Sequence, residues 1–130
     1  VSPLKEQPWR IILTHDASSI PADSICLTDE FRDRTLVVEN VFNYLELLKK
    51  LYNNKKIGTI LLEAGGCLVR EFLKAGLVDE WVGFYAPIII GGGTDGVAPG
   101  PFLEHEAYLE QPVVNIFGDD VCIRGDICYR

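Results

Sequence analysis

Residues 61–80 read LLEAGGCLVREFLKAGLVDE, and the parsing of that stretch decides the fold. An apolar run beginning at Ile57 ends in a carboxylate at Glu63, and Ala64-Gly65-Gly66 follows. Leu68, Val69, Phe72 and Leu73 then recur at the spacing of one helical face, with Gly76 at the position of a left-handed helix stop. The pattern predicts a strand over 57–63, a tight turn, and a helix over 65–76. Apolar side chains on successive strand residues suit a strand covered on both faces.

The same alternation extends outward. WRIILT (9–14) and TLVVE (35–39) read as buried strands, and the polar residues 15–33 between them as a long surface connection. Asn40 is placed to cap a helix in which Val41, Leu45, Leu48 and Tyr52 share a face, with Lys49, Lys50, Asn53 and Asn54 suiting its end. EWVGFYAPIII (80–90) predicts a long strand, GGGTDG (91–96) a loop, and PVVNIFG and DVCIRGDICY two closing strands. Strands alternating with helices imply parallel neighbours and right-handed crossovers. The expected class is α/β: a mainly parallel sheet flanked by helices, with antiparallel C-terminal strands, as one domain over residues 1–130.

Composition narrows the partners. With 130 residues, 48% of them hydrophobic, the chain has enough apolar surface for a core. Its net charge of -7 repels nucleic-acid backbones and anionic membranes, so neither is an expected partner. No apolar run reaches the roughly 18 residues that span a bilayer, and the first residues lack a signal-peptide core. The four cysteines form no CxxC and read as reduced thiols of a cytoplasmic protein, with a Cys122–Cys128 bridge across a hairpin as the alternative.

The strand-to-helix turn carries the chemistry. Unpaired amides at a positive helix start attract anions, and glycine lets a phosphate approach the backbone. Gly65-Gly66 therefore predicts a phosphate cradle, or else only a tight turn. Glu63, at the carboxyl end of a strand, is suited to bind a sugar hydroxyl, steady a cation or move a proton. The alternative is a solvated acid favoured by the helix dipole.

Other motifs carry less. Glu104-His105-Glu106 lacks partner ligands at zinc spacing, and Arg124-Gly125-Asp126 reads as a turn or bulge within a strand. Cys67 sits at a helix start, where thiols are acidified, but as a residue lining the cradle it needs no reactive role. There is no G-x-S-x-G.

The block LLEAGGCLVREFLKAGLVDEWVGFYAPIIIGGG, with QPWRIIL before it and FGDDVCIRG after it, resembles the reductase domain of the riboflavin-biosynthesis deaminase/reductase family. That family's pattern runs E-G-G-x-x-L, a helix, A-G-L-V-D-E, and A-P-K with a glycine pair. The resemblance implies a dihydrofolate-reductase-like fold and homodimerisation. It also implies NADPH-dependent reduction of the ribosyl group of 5-amino-6-(5-phosphoribosylamino)uracil to ribityl, by hydride transfer to the sugar C1 of an open-chain imine. By position, it places Glu63 against substrate, and Gly65, Gly66, Cys67, Leu68, Val69, Arg70 and Glu71 around the cofactor phosphates. His15 falls near the adenosine part, to meet a 2′-phosphate or to stand as an exposed loop residue.

The chain departs from the pattern at four places: Thr14 for the usual Asp, Ala64 for the first glycine, Ile88 for the lysine, and no strand-rich portion before QPWRIIL. The expectation is a partial domain. The competing reading is a non-catalytic nucleotide-binding or assembly domain that keeps the reductase fold.

Overall fold

The computed structural model describes residues 7–93, 95–101, 103 and 105–130. The chain forms two compact units, Val1–Ile60 and Leu61–Arg130.

In the first unit, β1 (Arg10–Thr14) and β2 (Thr35–Glu39) pair in parallel, from Arg10 opposite Thr35 to Thr14 opposite Glu39. A parallel pair needs a crossover. Here it carries a 3-10 turn at Ala17–Ser19, the one-turn α1 (Ile25–Thr28) and a second 3-10 turn at Arg32–Arg34. Its polar side chains are therefore partly structural. The Arg10 guanidinium donates twice to the Asp29 carboxylate, at 2.6 and 2.8 Å, a planar fork that fixes α1 against the start of β1. These hydrogen bonds hold the Asp29 carboxyl below its usual range. Thr35 Oγ1 donates to the Cys26 carbonyl at 2.7 Å.

Helix α2 (Tyr44–Lys55) starts three residues later than its apolar spacing suggested. The cap is Asn43, whose side chain accepts from the Glu46 N–H at 3.1 Å, and not Asn40. Asn40 is held in a left-handed conformation (φ 52°), with its N–H donated to Thr14 O at 3.0 Å, so it closes the strand end instead. Of the apolar residues on α2, Leu51 is the buried one, and Val41 lies outside the helix.

Residues 57–63 pair with no strand among the described residues, contrary to the strand expected there. Apolar side chains on both faces specify burial, but a ladder also needs a neighbouring backbone to accept and donate its hydrogen bonds. Ile60 is left 40% and Leu61 80% exposed.

In the second unit, α3 (Gly66–Lys74) buries Val69, Phe72 and Leu73. It stops as the sequence indicated. Gly76 takes φ 64°, its N–H goes to Leu73 O, and the Leu77 N–H goes back to Phe72 O, each at 3.0 Å. This Schellman pairing satisfies carbonyls that a helix end leaves open.

Strands β3 (Glu80–Tyr85), β4 (Ala107–Phe117) and β5 (Asp120–Tyr129) form an antiparallel sheet in the order β3-β5-β4. Together with the helices and the parallel pair, this is the α/β arrangement of a dihydrofolate-reductase-like fold with antiparallel C-terminal strands. The parallel pairing among the described residues is that of β1 with β2.

β3 ends at Tyr85 rather than Ile90 because its partner β5 begins at Asp120, one residue beyond the Tyr85–Val121 pair. Pro87 also lacks a donor. Ile88, Ile89 and Ile90 are consequently exposed. Gly118, at φ 65°, opens the two-residue turn between β4 and β5.

The bulge read at Gly125 lies on the neighbouring strand instead, between Glu110 and Val113, with Gln111 at φ 44°. Gly125 itself pairs with Trp81. A Cβ there would lie 3.2 Å from Glu110 O, so the glycine makes room for the bulge. Arg124-Gly125-Asp126 thus runs within a strand, with Arg124 paired to Glu80. Cys122 and Cys128 share β5, six residues apart, and all four cysteines are free.

Tyr129 ties β5 to the segment after α3. Its hydroxyl donates to Val78 O at 3.0 Å and accepts from the Val78 N–H at 3.1 Å. Partial burial raises its pKa above the usual phenol value. Tyr129→Phe leaves both Val78 groups unpaired and should cost about 1–2 kcal/mol, read from urea unfolding midpoints.

The Asp29 carboxyl titrates below its unfolded value, so the stability it contributes is present above roughly pH 4 and is lost as pH falls through the lowered folded pKa. Asp29→Asn should flatten the acid limb of the stability profile in that window. An unchanged limb would contradict the role of the pair.

Candidate anion site at the start of helix α3

Helix α3 begins with Gly65 as its cap, in an extended conformation (φ -66°, ψ 158°) and without a side chain to satisfy the first amides. The Leu68 and Val69 N–H groups both reach Gly65 O, at 3.0 and 3.3 Å. Among the described residues, no acceptor meets the N–H of Gly66 or Cys67. Two unpaired donors at the positive end of a helix are the elements of an anion site.

The two glycines serve different ends. A Cβ on Gly65 would meet nothing within 4 Å, so the approach to this residue is open. Gly66 is buried, and the atoms nearest its missing Cβ belong to the chain itself: Asp95 O, Ala98 N at 2.7 Å and the Val97 carbonyl carbon at 3.1 Å. The Ala98 N–H donates to Gly66 O at 3.0 Å. The sequence suggested a ligand against both glycines, whereas the close approach at Gly66 is made by the 95–98 backbone.

The remaining predicted residues divide by face. Glu63 and Ala64 are exposed, and Glu63 has no hydrogen bond or ion pair with a described residue. Its carboxylate is free for a ligand. Cys67 and Glu71, four residues apart, are exposed on one helix face, Cys67 in the first turn and Glu71 in the next, and Leu68 is half-buried. Val69 turns its side chain into the core. Arg70 donates through Nη2 to the carbonyl of Pro101, so its guanidinium is already partly engaged.

His15 belongs to the first unit, at the carboxyl ends of the two parallel strands, and is exposed. Its neighbour Asp16 accepts from the Ser18 N–H (2.9 Å) and the Ser18 hydroxyl (2.6 Å), which hold its carboxyl below the usual range. Glu39 accepts from the Ala17 N–H at 2.5 Å. Asp16 and Glu39 went unnoticed in the sequence, although both sit at strand ends, where open α/β sheets bind ligands.

The chain's whole net charge of -7 falls in Leu61–Arg130, and Val1–Ile60 is balanced. Long-range attraction therefore gives a phosphate no help at α3, and the short-range amides must supply the binding. Among the described residues, no cluster of His, Cys, Asp and Glu is arranged to hold a metal, and no helix is long and apolar enough to cross a membrane. Glu104 lies outside the described residues.

The sequence model of the RibD C-terminal domain family matches residues 2–123. The chain belongs to that family. It is similar to the riboflavin biosynthesis protein RibD of Escherichia coli K12, 34% identical over an aligned length of 95 residues, with 69% of this chain and 26% of the relative covered. Against RibD of Mycobacterium tuberculosis it is 30% identical over 92 residues, 71% and 25% of the respective chains. It thus spans about a quarter of the curated relatives it matches.

The solved structure of Acinetobacter baumannii RibD, form 2, superimposes with a TM-score of 0.75 at 24% identity, over 94% of this chain and 38% of that one. A riboflavin biosynthesis protein from Shewanella gives 0.64 at 20% identity, over 91% and 59%. These likenesses establish the fold.

The differing surroundings of the two glycines predict separate outcomes. Gly66→Ala forces a methyl into the 95–98 backbone and should destabilise the chain by about 1–3 kcal/mol. Gly65→Ala meets open space at a backbone geometry alanine accepts, and should change stability by less than about 0.5 kcal/mol. Paired urea melts distinguish the two.

Proposed function

We propose that the chain is a single reductase-like domain of cytoplasmic riboflavin biosynthesis, one that binds NADPH and acts on a phosphoribosylamino-pyrimidine. The observation that carries this reading is the pair of unpaired amides at the glycine-capped start of α3, in a chain that one reductase-family model covers across both units.

The unpaired donors and the open face of Gly65 fit a diphosphate. Gly65, Gly66 and Cys67 would hold it through backbone N–H groups, with Leu68, Arg70 and Glu71 beside it and Val69 fixing the helix from its buried side. His15, exposed after β1 and next to Asp16, is assigned by the family resemblance to the adenosine end, against a 2′-phosphate. When bound, the cofactor supplies the hydride that converts the ribosyl group of 5-amino-6-(5-phosphoribosylamino)uracil to ribityl.

The protein's share is orientation and electrostatics. Glu63, two residues before the helix cap and without a partner among the described residues, accepts hydrogen bonds from sugar hydroxyls and holds or moves a proton at its carboxylate. No group of the chain acts as a nucleophile in this reading.

We also propose that the chain pairs with a second copy. Val82, Phe84, Val113 and Phe117 are all at least 50% exposed and share one face of the antiparallel sheet, and such apolar area supports a covered face.

Energy transfer from tryptophan on titration with NADPH tests the cofactor assignment. Micromolar binding is expected, with NADPH preferred over NADH, and His15→Ala should narrow that preference by about 3–10-fold, the loss of one charge-assisted contact. Glu63→Gln should leave NADPH affinity within about twofold while lowering any turnover at least about tenfold, as for loss of a transition-state contact. No NADPH binding, or binding that Glu63→Gln abolishes, contradicts the assignment.

A further inference from the structure

Gly66 and Arg70 lie four residues apart on one face of α3, and the segment from Asp95 to Pro101 runs along both. At one end, Ala98 donates to Gly66 O at 3.0 Å, and Asp95 O lies against the Gly66 Cα. At the other, the Arg70 guanidinium donates to Pro101 O, and its plane rests on Gly100. A Cβ added at Gly100 would lie 2.8 Å from both Cζ and Nε of Arg70. Upstream, Gly91 (φ 77°) and Gly93 (φ 149°) hold backbone conformations that other residues resist.

We propose that Arg70 is a positioning residue that latches the Asp95–Pro101 loop over Gly66, so that the amide end of α3 is covered until the loop lifts. The inference rests on the phosphate-binding reading of that helix end and adds a gate to it. With the loop down, Gly66 is buried and the main-chain carbonyl of Asp95 stands where its Cβ would be. A ligand that needs the Gly66 N–H must first displace the loop. Its apparent affinity then falls in proportion to the fraction of molecules in which the loop is open.

Amide hydrogen exchange on the whole chain tests the latch without cofactor. In Arg70→Ala the Ala98 amide, bonded to Gly66 O, should exchange at least about tenfold faster, while the Phe72, Leu73 and Ile123 amides stay within about twofold. Gly100→Ala displaces the guanidinium by sterics and should do the same, which keeps the test decisive if Arg70→Ala does not fold. Arg70→Lys, retaining the cation but not the planar fork, should fall between.

NADPH affinity should rise about 3–10-fold in Gly100→Ala, which keeps every residue assigned to the cofactor, because the open fraction grows. Unchanged Ala98 exchange in both variants overturns the latch. Faster Ala98 exchange in Gly100→Ala with unchanged or weaker NADPH binding overturns the gate. If neither wild type nor variant binds NADPH, the phosphate-site reading fails, and Ala98 exchange still decides whether Arg70 holds the loop.

Discussion

The arrangement of the second unit depends on the absence of a side chain at Gly66. The first residue of α3 is packed so closely by the backbone of residues 95–98 that a single methyl has no room. That contact fixes where the glycine-rich segment after β3 lands, and it brings Asp95 and Ala98 to the helix end whose amides have no partner among the described residues. One residue earlier, Gly65 is open to solvent. A helix start with one sealed glycine and one open glycine is a more selective surface than a bare turn, because a ligand gains the first donors only in a restricted geometry.

The antiparallel sheet supplies a rigid base for this end of the unit. Tyr129 and the Ile127 N–H, which donates to Asp79 O at 2.8 Å, hold the segment between α3 and β3 against β5. The helix therefore begins at a site of tight backbone packing and ends at a hydrogen-bonded junction. Glu63 is different: it precedes the helix on a segment that, among the described residues, has no ladder, and its exposed carboxylate has no partner there. Positions that contact ligands transiently are often the ones that the fold leaves unbonded.

Much of the fold was legible because local chemistry and tertiary structure agree. The 3.6-residue apolar spacing placed α3, and Gly76 marked its stop to the residue. β2 matched its sequence pattern at both ends. The failures have a common cause, since pairing partners are not written in a strand's own residues. Ile57–Glu63 has the apolar run of a central strand yet no neighbour, and β3 stops where β5 begins, although the isoleucines that follow favour strand. Asn40 and Asn43 both suit a cap, and the choice was made by the turn that closes β2. In the candidate site, Glu63 and the glycine pair were visible as a motif. The loop that separates the roles of Gly65 and Gly66 was not, because the atoms that touch Gly66 belong to residues 95–98, beyond both α3 and β3.

The central claim is that the α3 amino terminus binds the cofactor's phosphates through backbone amides. Amide chemical shifts followed during NADPH titration of the isotopically labelled chain test it most directly. The account predicts the largest saturable shifts at Gly65, Gly66 and Cys67, with smaller ones at Ala98 as the neighbouring loop responds. Saturable binding that leaves those three amides unmoved, or the absence of any shift at millimolar NADPH, would contradict it.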